Sequence, residues 1–182
     1  RSLKGICSGT LYWKFNDPAA DCAKGGIFPS HMSVIDMFGQ PKMTYYYTRR
    51  AYEDFLVCCT EKKDAFRIHA CSELTEEIKG TLHITHMDFK GKVILEKSMA
   101  CTAAADSTTL LAEFPGCTFA VKDKYEEYFR IRFDTSGCEY ENRYFFADIC
   151  EINRLKLPPA GLRIRKASFE DGNIRLYLYT EN

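Results

Sequence analysis

From Leu56 onward the apolar residues of this chain recur with a period of two, whereas a stretch before it follows the helical period. That switch constrains the fold more than any other feature. Short alternating runs appear at Phe66–Cys71, Lys79–Met87, Lys92–Met99, Thr108–Phe114, Glu127–Asp134, Glu141–Cys150, Leu162–Phe169 and Asn173–Tyr179. The connectors carry turn chemistry: Asp88-Phe89-Lys90-Gly91 and Thr135-Ser136-Gly137 each separate neighbouring runs. Asp171-Gly172, between Phe169 and Ile174, is a two-residue hairpin signal, because glycine takes a positive φ at little steric cost. Runs of this length and spacing predict an antiparallel β-sandwich. Aromatic residues at 14% supply the side chains that pleated, half-buried surfaces favour.

The segment ahead of the sandwich reads differently. In Gly9–Phe15, Leu11, Trp13 and Phe15 alternate onto one face and predict a strand, which stops at Asn16-Asp17-Pro18. A loop rich in Gly, Ala and Pro follows to Ser30. Pro41 suits the first position of a helix in which Met43, Tyr47 and Ala51 share a stripe, ending near Asp54 or Phe55. One strand and one helix cannot bury a core of their own, so this piece must pack on something else. Its order is that of one strand-helix unit of a β/α barrel. The expected fold class is therefore mainly β, an immunoglobulin-like antiparallel β-sandwich preceded by one strand-helix remnant of a β/α barrel. Residues 1–55 form the remnant and 56–157 the sandwich. Residues 158–182 form a linker and hairpin, the start of a further β-domain.

Composition excludes several function classes. The 25 basic and 25 acidic side chains cancel, which argues against the clustered cationic surface of a nucleic-acid binder. No run approaches the roughly 18 apolar residues of a membrane span. No Gly-rich phosphate loop, G-x-S-x-G elbow or H-E-x-x-H is present. The nine cysteines include no C-x-x-C pair and read mainly as small buried hydrophobes. Cys58 and Cys59, adjacent on a strand, point to opposite faces. His83 and His86, three apart, do the same and make a poor metal pair; no metal and no cofactor is expected. Glu73, Glu76 and Glu77, and likewise Asp123, Glu126 and Glu127, read as solvated surface. The chain starts at Arg1 with no signal peptide, so it is expected to be processed or a piece of a longer protein. The N-terminus does not give the compartment; a periplasmic or extracellular one is favoured over the cytoplasm.

Gly9-Thr10-Leu11-Tyr12-Trp13-Lys14-Phe15-Asn16-Asp17 resembles the last barrel strand of the β-mannosidases of glycoside hydrolase family 2. The resemblance continues through Ser33-Val34-Ile35-Asp36, Phe38-Gly39-Gln40-Pro41-Lys42 and Tyr45–Tyr52, then through Gly80-Thr81-Leu82, Asp88–Lys97 and Glu141–Phe146. Lys14 stands where the family usually has Gln. The Trp-Pro that commonly follows the Asp is replaced by Pro18-Ala19-Ala20. A longer loop runs from Asp21 to Pro29, and neither His31 nor Met32 supplies a second family Trp.

That resemblance implies a role for the chain. The parent enzyme would release terminal β-linked mannose by a retaining mechanism, using two glutamates on barrel strands that precede Arg1. This chain would hold no catalytic residue and be inactive alone. Trp13, Asn16 and Asp17 would line the sugar subsite; the alternative readings are a core residue for Trp13 and turn formers for the other two. Asp36, Lys42, Arg49 and Arg50 would fix the junction between barrel and sandwich. The partners expected are the rest of the catalytic barrel and, in the full enzyme, a carbohydrate, with no nucleic acid and no membrane. Leu11, Trp13, Tyr46 and Tyr47 would form an exposed apolar patch that drives self-association. The alternative is a carbohydrate-binding sandwich module, with Tyr125, Tyr128, Tyr140, Tyr144, Tyr177 and Tyr179 as stacking candidates.

Overall fold

The computed structural model describes residues 1–4, 6–7, 9–17, 33–159, 161, 163–170 and 173–179. The expected loop Asp21–Pro29, the pair His31-Met32 and the turn Asp171-Gly172 lie outside them. The elements are helix α1 (Met43–Ala51) and strands β1 (Phe55–Lys62), β2 (Ala65–Ser72), β3 (Ile78–Asp88), β4 (Val93–Ala103), β5 (Thr108–Pro115), β6 (Glu127–Asp134), β7 (Glu139–Phe145), β8 (Arg163–Glu170) and β9 (Asn173–Tyr179). A three-stranded sheet runs β1-β2-β5 and a four-stranded sheet runs β4-β3-β6-β7, every pairing antiparallel. The fold is mainly β and immunoglobulin-like. β8 and β9 form a separate hairpin.

The core lies between the two sheets and follows from the alternation in the sequence. β6 is regular: Phe129, Ile131 and Phe133 are buried, while Tyr128, Arg130 and Arg132 face outward. They meet Phe55 and Val57 of β1, Phe66, Ile68 and Ala70 of β2, and Leu82 and Ile84 of β3. Burying each large side chain contributes about 1.5–3 kcal/mol. The centre is aromatic: Phe129 lies 4.5 Å from Phe119, 4.6 Å from Phe146 and 5.0 Å from Phe66, centroid to centroid. Gly80 lets β3 approach β6, since a Cβ there would sit 2.4 Å from the Asp134 carbonyl oxygen. At the β3–β4 turn, the Asp88 Oδ1 accepts the Lys90 and Lys92 amides at 2.9 Å while Gly91 takes φ +87°.

Several expectations change. β1 is a full strand that the periodicity does not isolate, because its turn to β2 is Lys63-Asp64, both at positive φ (52° and 59°) without glycine. β7 ends at Phe145, not Cys150; the chain then forms a 3-10 turn over Ile149–Arg154. Glu127 is not solvated surface. It shares the inward parity of Phe129 and Ile131, is buried, and its Oε2 lies 2.8 Å from the Nε2 of fully buried His86. The pair satisfies one ring nitrogen at the end of an aromatic core, with Phe119, Phe129 and Phe146 edge-on to the imidazole. His83, on the opposite face of β3, lies 2.8 Å from the Ser98 hydroxyl and 3.3 Å from Asp134.

The N-terminal region also departs from expectation. Residues 9–15 form no strand. A strand exists by its ladder, and among the described residues here the backbone has only single bridges, Asn16 to Ile35 and Ile35 to Pro41. α1 starts at Met43 rather than Pro41, because Pro41 takes part in the second bridge and Lys42 occupies the N-cap in extended conformation. No residue of α1 is buried.

Candidate functional site

The expected site residues sit where the segment 9–17 meets the turn 33–42. Phe15 O accepts the amides of Val34 (3.1 Å) and Ile35 (3.0 Å), Asp17 N donates to Ile35 O at 3.0 Å, and Lys42 N donates to Val34 O at 2.9 Å. Within this frame Asp36 caps its own turn, its Oδ1 accepting the Phe38 and Gln40 amides. The centre of the frame is charged. Asp17 is 4% exposed and Ser33 1%. The Asp17 Oδ2 lies 2.7 Å from the Lys42 Nζ, and Asp17 Oδ1 accepts the Ser33 hydroxyl. Lys42 Nζ also donates to the Ser33 Oγ at 2.7 Å. A buried carboxylate needs both a counter-charge and hydrogen bonds, and here it has both.

Trp13 and Asn16 point elsewhere. Trp13 is 81% exposed, and Asn16 is exposed beside it. The structure therefore brings the three residues onto one short stretch but divides them: Asp17 faces inward to Lys42 and Ser33, and Trp13 and Asn16 face out. Leu11, Tyr46 and Tyr47 are exposed as well. Between the segment and α1 runs a mainly apolar groove of about 350 Å³, lined by Tyr12, Phe15, Val34, Tyr45, Thr48 and Tyr52, with Arg49 as its one charged residue. Sequence reasoning did not find this groove, although Tyr45, Thr48 and Tyr52 fall at helical spacing along α1.

A polar joint fastens this region to the sandwich. The Arg1 guanidinium donates to the carbonyls of Ala51 (3.1 Å), Glu53, Asp54 (3.4 Å) and Cys71 (3.3 Å), so it bridges the end of α1 and the end of β2. Lys4 Nζ reaches Asp106 at 2.5 Å, Glu73 at 3.0 Å and the Ser72 carbonyl at 3.1 Å. Asp106, then Glu73, hold the Lys4 ammonium above its ordinary range. Arg49 and Arg50 are on the helix surface, where Arg50 lies 5.4 Å over the Tyr47 ring.

The tyrosines of the sandwich are mostly committed to packing. Tyr140 and Tyr144 pack against the core. Tyr128 stacks on Phe89 at 5.3 Å, and Tyr125 lies under Arg154 and Lys124. Tyr177 and Tyr179 are exposed on the β8–β9 hairpin.

The mannosidase Ig/CBM-like domain, as a sequence family, matches residues 64–149. The structural likeness extends beyond the Ig/CBM-like domain. The β-D-mannosidase of Dictyoglomus thermophilum superposes with a TM-score of 0.69 and 26% identity, covering 88% of this chain and 18% of that one. The exo-β-D-glucosaminidase CsxA superposes at 0.62 with 14% identity, over 90% of this chain and 21% of that one. A complex of the exo-chitosanase CsxA of Amycolatopsis orientalis gives 0.59 and 13%, over 94% and 22%. The two CsxA structures speak for the fold alone. The chain resembles the C-terminal regions of glycoside hydrolase family 2 enzymes and spans about a fifth of the length of these proteins. No curated protein matches it.

Proposed function

We propose that this chain serves in a β-mannosidase-like glycosidase, as the last unit of the catalytic barrel (1–55), whose segment 9–15 becomes a strand only when a neighbouring barrel strand pairs with it, and the Ig/CBM-like domain that buttresses it (56–157), with 158–182 as linker and hairpin. One observation carries the reading. A coverage of 88% at 26% identity to a β-mannosidase exceeds what residues 64–182 can supply, so the likeness takes in much of the N-terminal region. The exposure of Leu11, Trp13, Tyr46 and Tyr47 supports it, since large apolar side chains left bare need a cover. The remaining barrel strands are that cover, and in their absence a second copy of the chain takes their place.

In this reading hydrolysis of a terminal β-linked sugar proceeds with retention. That route needs two carboxyl groups about 5 Å apart, one as acid/base and one as nucleophile. Asp17 is neither, because its carboxylate is buried against Lys42 and Ser33. The pair comes from barrel strands outside this chain. Trp13 offers its indole face to the apolar face of the pyranose, and Asn16 offers its amide to a hydroxyl. Asp17 acts through them as a positioning residue.

The test is hydrolysis of p-nitrophenyl β-D-mannopyranoside. The 182-residue chain alone should give no turnover. In the enzyme that joins it to the barrel, Trp13→Ala should lower kcat/KM by about tenfold or more, equivalent to at least ~1.4 kcal/mol of lost transition-state binding. Turnover by the isolated chain, or an unchanged kcat/KM in the variant, would refute the proposal.

A further inference from the structure

Cys58 and Cys71 are the two thiols within hydrogen-bonding range of each other among the described residues, with 3.8 Å between their sulfurs. They reach each other across β1 and β2. The register pairs Leu56 with Cys71 and Cys58 with His69, so the cysteines are diagonal neighbours. Phe55 and Val57 point into the core, which puts Leu56, Cys58 and hence Cys71 on the outer face of the three-stranded sheet. Cys71 is buried and Cys58 half-buried, so the pair is reached from the Cys58 side.

We propose that Cys58 and Cys71 are a cross-strand dithiol that closes reversibly to a disulfide, a redox-controlled staple between β1 and β2. The sulfurs share one hydrogen bond, so one thiol ionises while the other keeps its proton. The Arg1 guanidinium, 3.3 Å from the Cys71 carbonyl, places a positive charge beside the pair. His69, opposite Cys58, is held below the ordinary imidazole range by burial and then by Arg67; it is neutral and hydrogen-bonds the Thr60 hydroxyl at 3.1 Å. Cys59 points the other way, against the core, and burial lifts its thiol to about 12, so it does not compete.

The oxidant is hydrogen peroxide. The ionised thiol of the pair attacks one peroxide oxygen; the S–O bond forms, the O–O bond breaks, and hydroxide leaves as water after taking a proton. The second thiol then gives up its proton and attacks the oxidised sulfur. The S–S bond forms, the S–O bond breaks, and a second water leaves. Two thiols are oxidised and one peroxide is reduced. Half-buried Cys58 leaves the closed bridge within reach of a thiol reductant, which reopens it by exchange.

The experiment treats the reduced 182-residue chain with hydrogen peroxide, denatures it, blocks the remaining thiols with iodoacetamide and digests it with trypsin without reduction. The expected product is peptide 51–62 linked to peptide 68–79, lost after dithiothreitol. Fragmentation of the linked peptide between the adjacent cysteines should place the bridge on Cys58. It should persist in Cys59→Ala and vanish in Cys58→Ser. A bridge on Cys59, or no linked peptide at a peroxide dose that oxidises exposed Cys7, Cys117, Cys138 and Cys150, would overturn the proposal.

Discussion

The sandwich and the N-terminal region are built on opposite terms. Between β1 and β7 the large apolar side chains face one another, and Phe55, Ile68, Leu82, Phe129, Ile131 and Phe133 are all but inaccessible. Among the described residues of 9–52 most of the large apolar side chains are exposed, and α1 buries none of its residues. What holds that region is polar: Asp17 with Lys42 and Ser33 inside it, and Arg1 and Lys4 at its joint with the sandwich. Non-directional burial makes the first region stable in itself. Directional contacts give the second one its shape without a core of its own.

Removing the centre of the aromatic core tests the first half of that comparison and should have the largest effect. Phe129→Ala leaves a cavity among Phe66, Phe119 and Phe146 and should cost about 3–5 kcal/mol. Urea unfolding followed by far-ultraviolet circular dichroism should show the midpoint fall without a change in slope. A loss well under ~1 kcal/mol would mean that the sandwich draws its stability from somewhere other than this core.

The same contrast explains what could be read from the sequence. Most of the sandwich was legible because alternation is local: β6 repeats inward Phe129, Ile131 and Phe133 within one run. β1 was not, because Lys63-Asp64 makes a glycine-free turn that carries no strong signal. Glu127 was misassigned by its acidic neighbours, Asp123 and Glu126, although its parity with Phe129 marked it as inward. At the candidate site the residue types were legible on residues 13–17, but their division was not. Asp17 meets Ser33 across 16 positions and Lys42 across 25, and no local pattern reports a contact of that range. Cys58 and Cys71 escaped for the same reason, since their meeting depends on a strand register.

Asp17→Asn tests the second half with an intermediate effect. It removes the negative charge that faces Lys42 and should cost the N-terminal frame about 1–3 kcal/mol locally. Hydrogen exchange should quicken by roughly tenfold or more at the amides of Val34, Ile35 and Lys42, which hold the frame together. The amides of β3 and β6 should keep their protection. Equal loss in both regions would show that the two are one cooperative unit.

The smallest expected effect is at the far end of the sandwich, where surface charge adds a tether to a core already complete. Glu151 of the 3-10 turn accepts from Lys124 at 2.5 Å, from the Tyr125 hydroxyl at 2.8 Å and from Arg154 at 3.0 Å. Lys124 first, then Tyr125, hold its carboxyl down to about 2, against 4.5 ordinarily. A carboxyl depressed on folding stabilises the folded form above its unfolded value, so the contribution is whole above about 4.5 and is lost as pH falls through about 2. Salt screens so exposed a cluster, and the gain is small. Carbon-13 NMR of the Glu151 carboxyl should titrate with a midpoint near 2, and Glu151→Gln should free the turn while leaving the urea midpoint of the sandwich almost where it was. A midpoint near 4.5 would mean that the cluster does not form in solution, and that the turn is held by the Lys156 amide to the Tyr125 carbonyl instead.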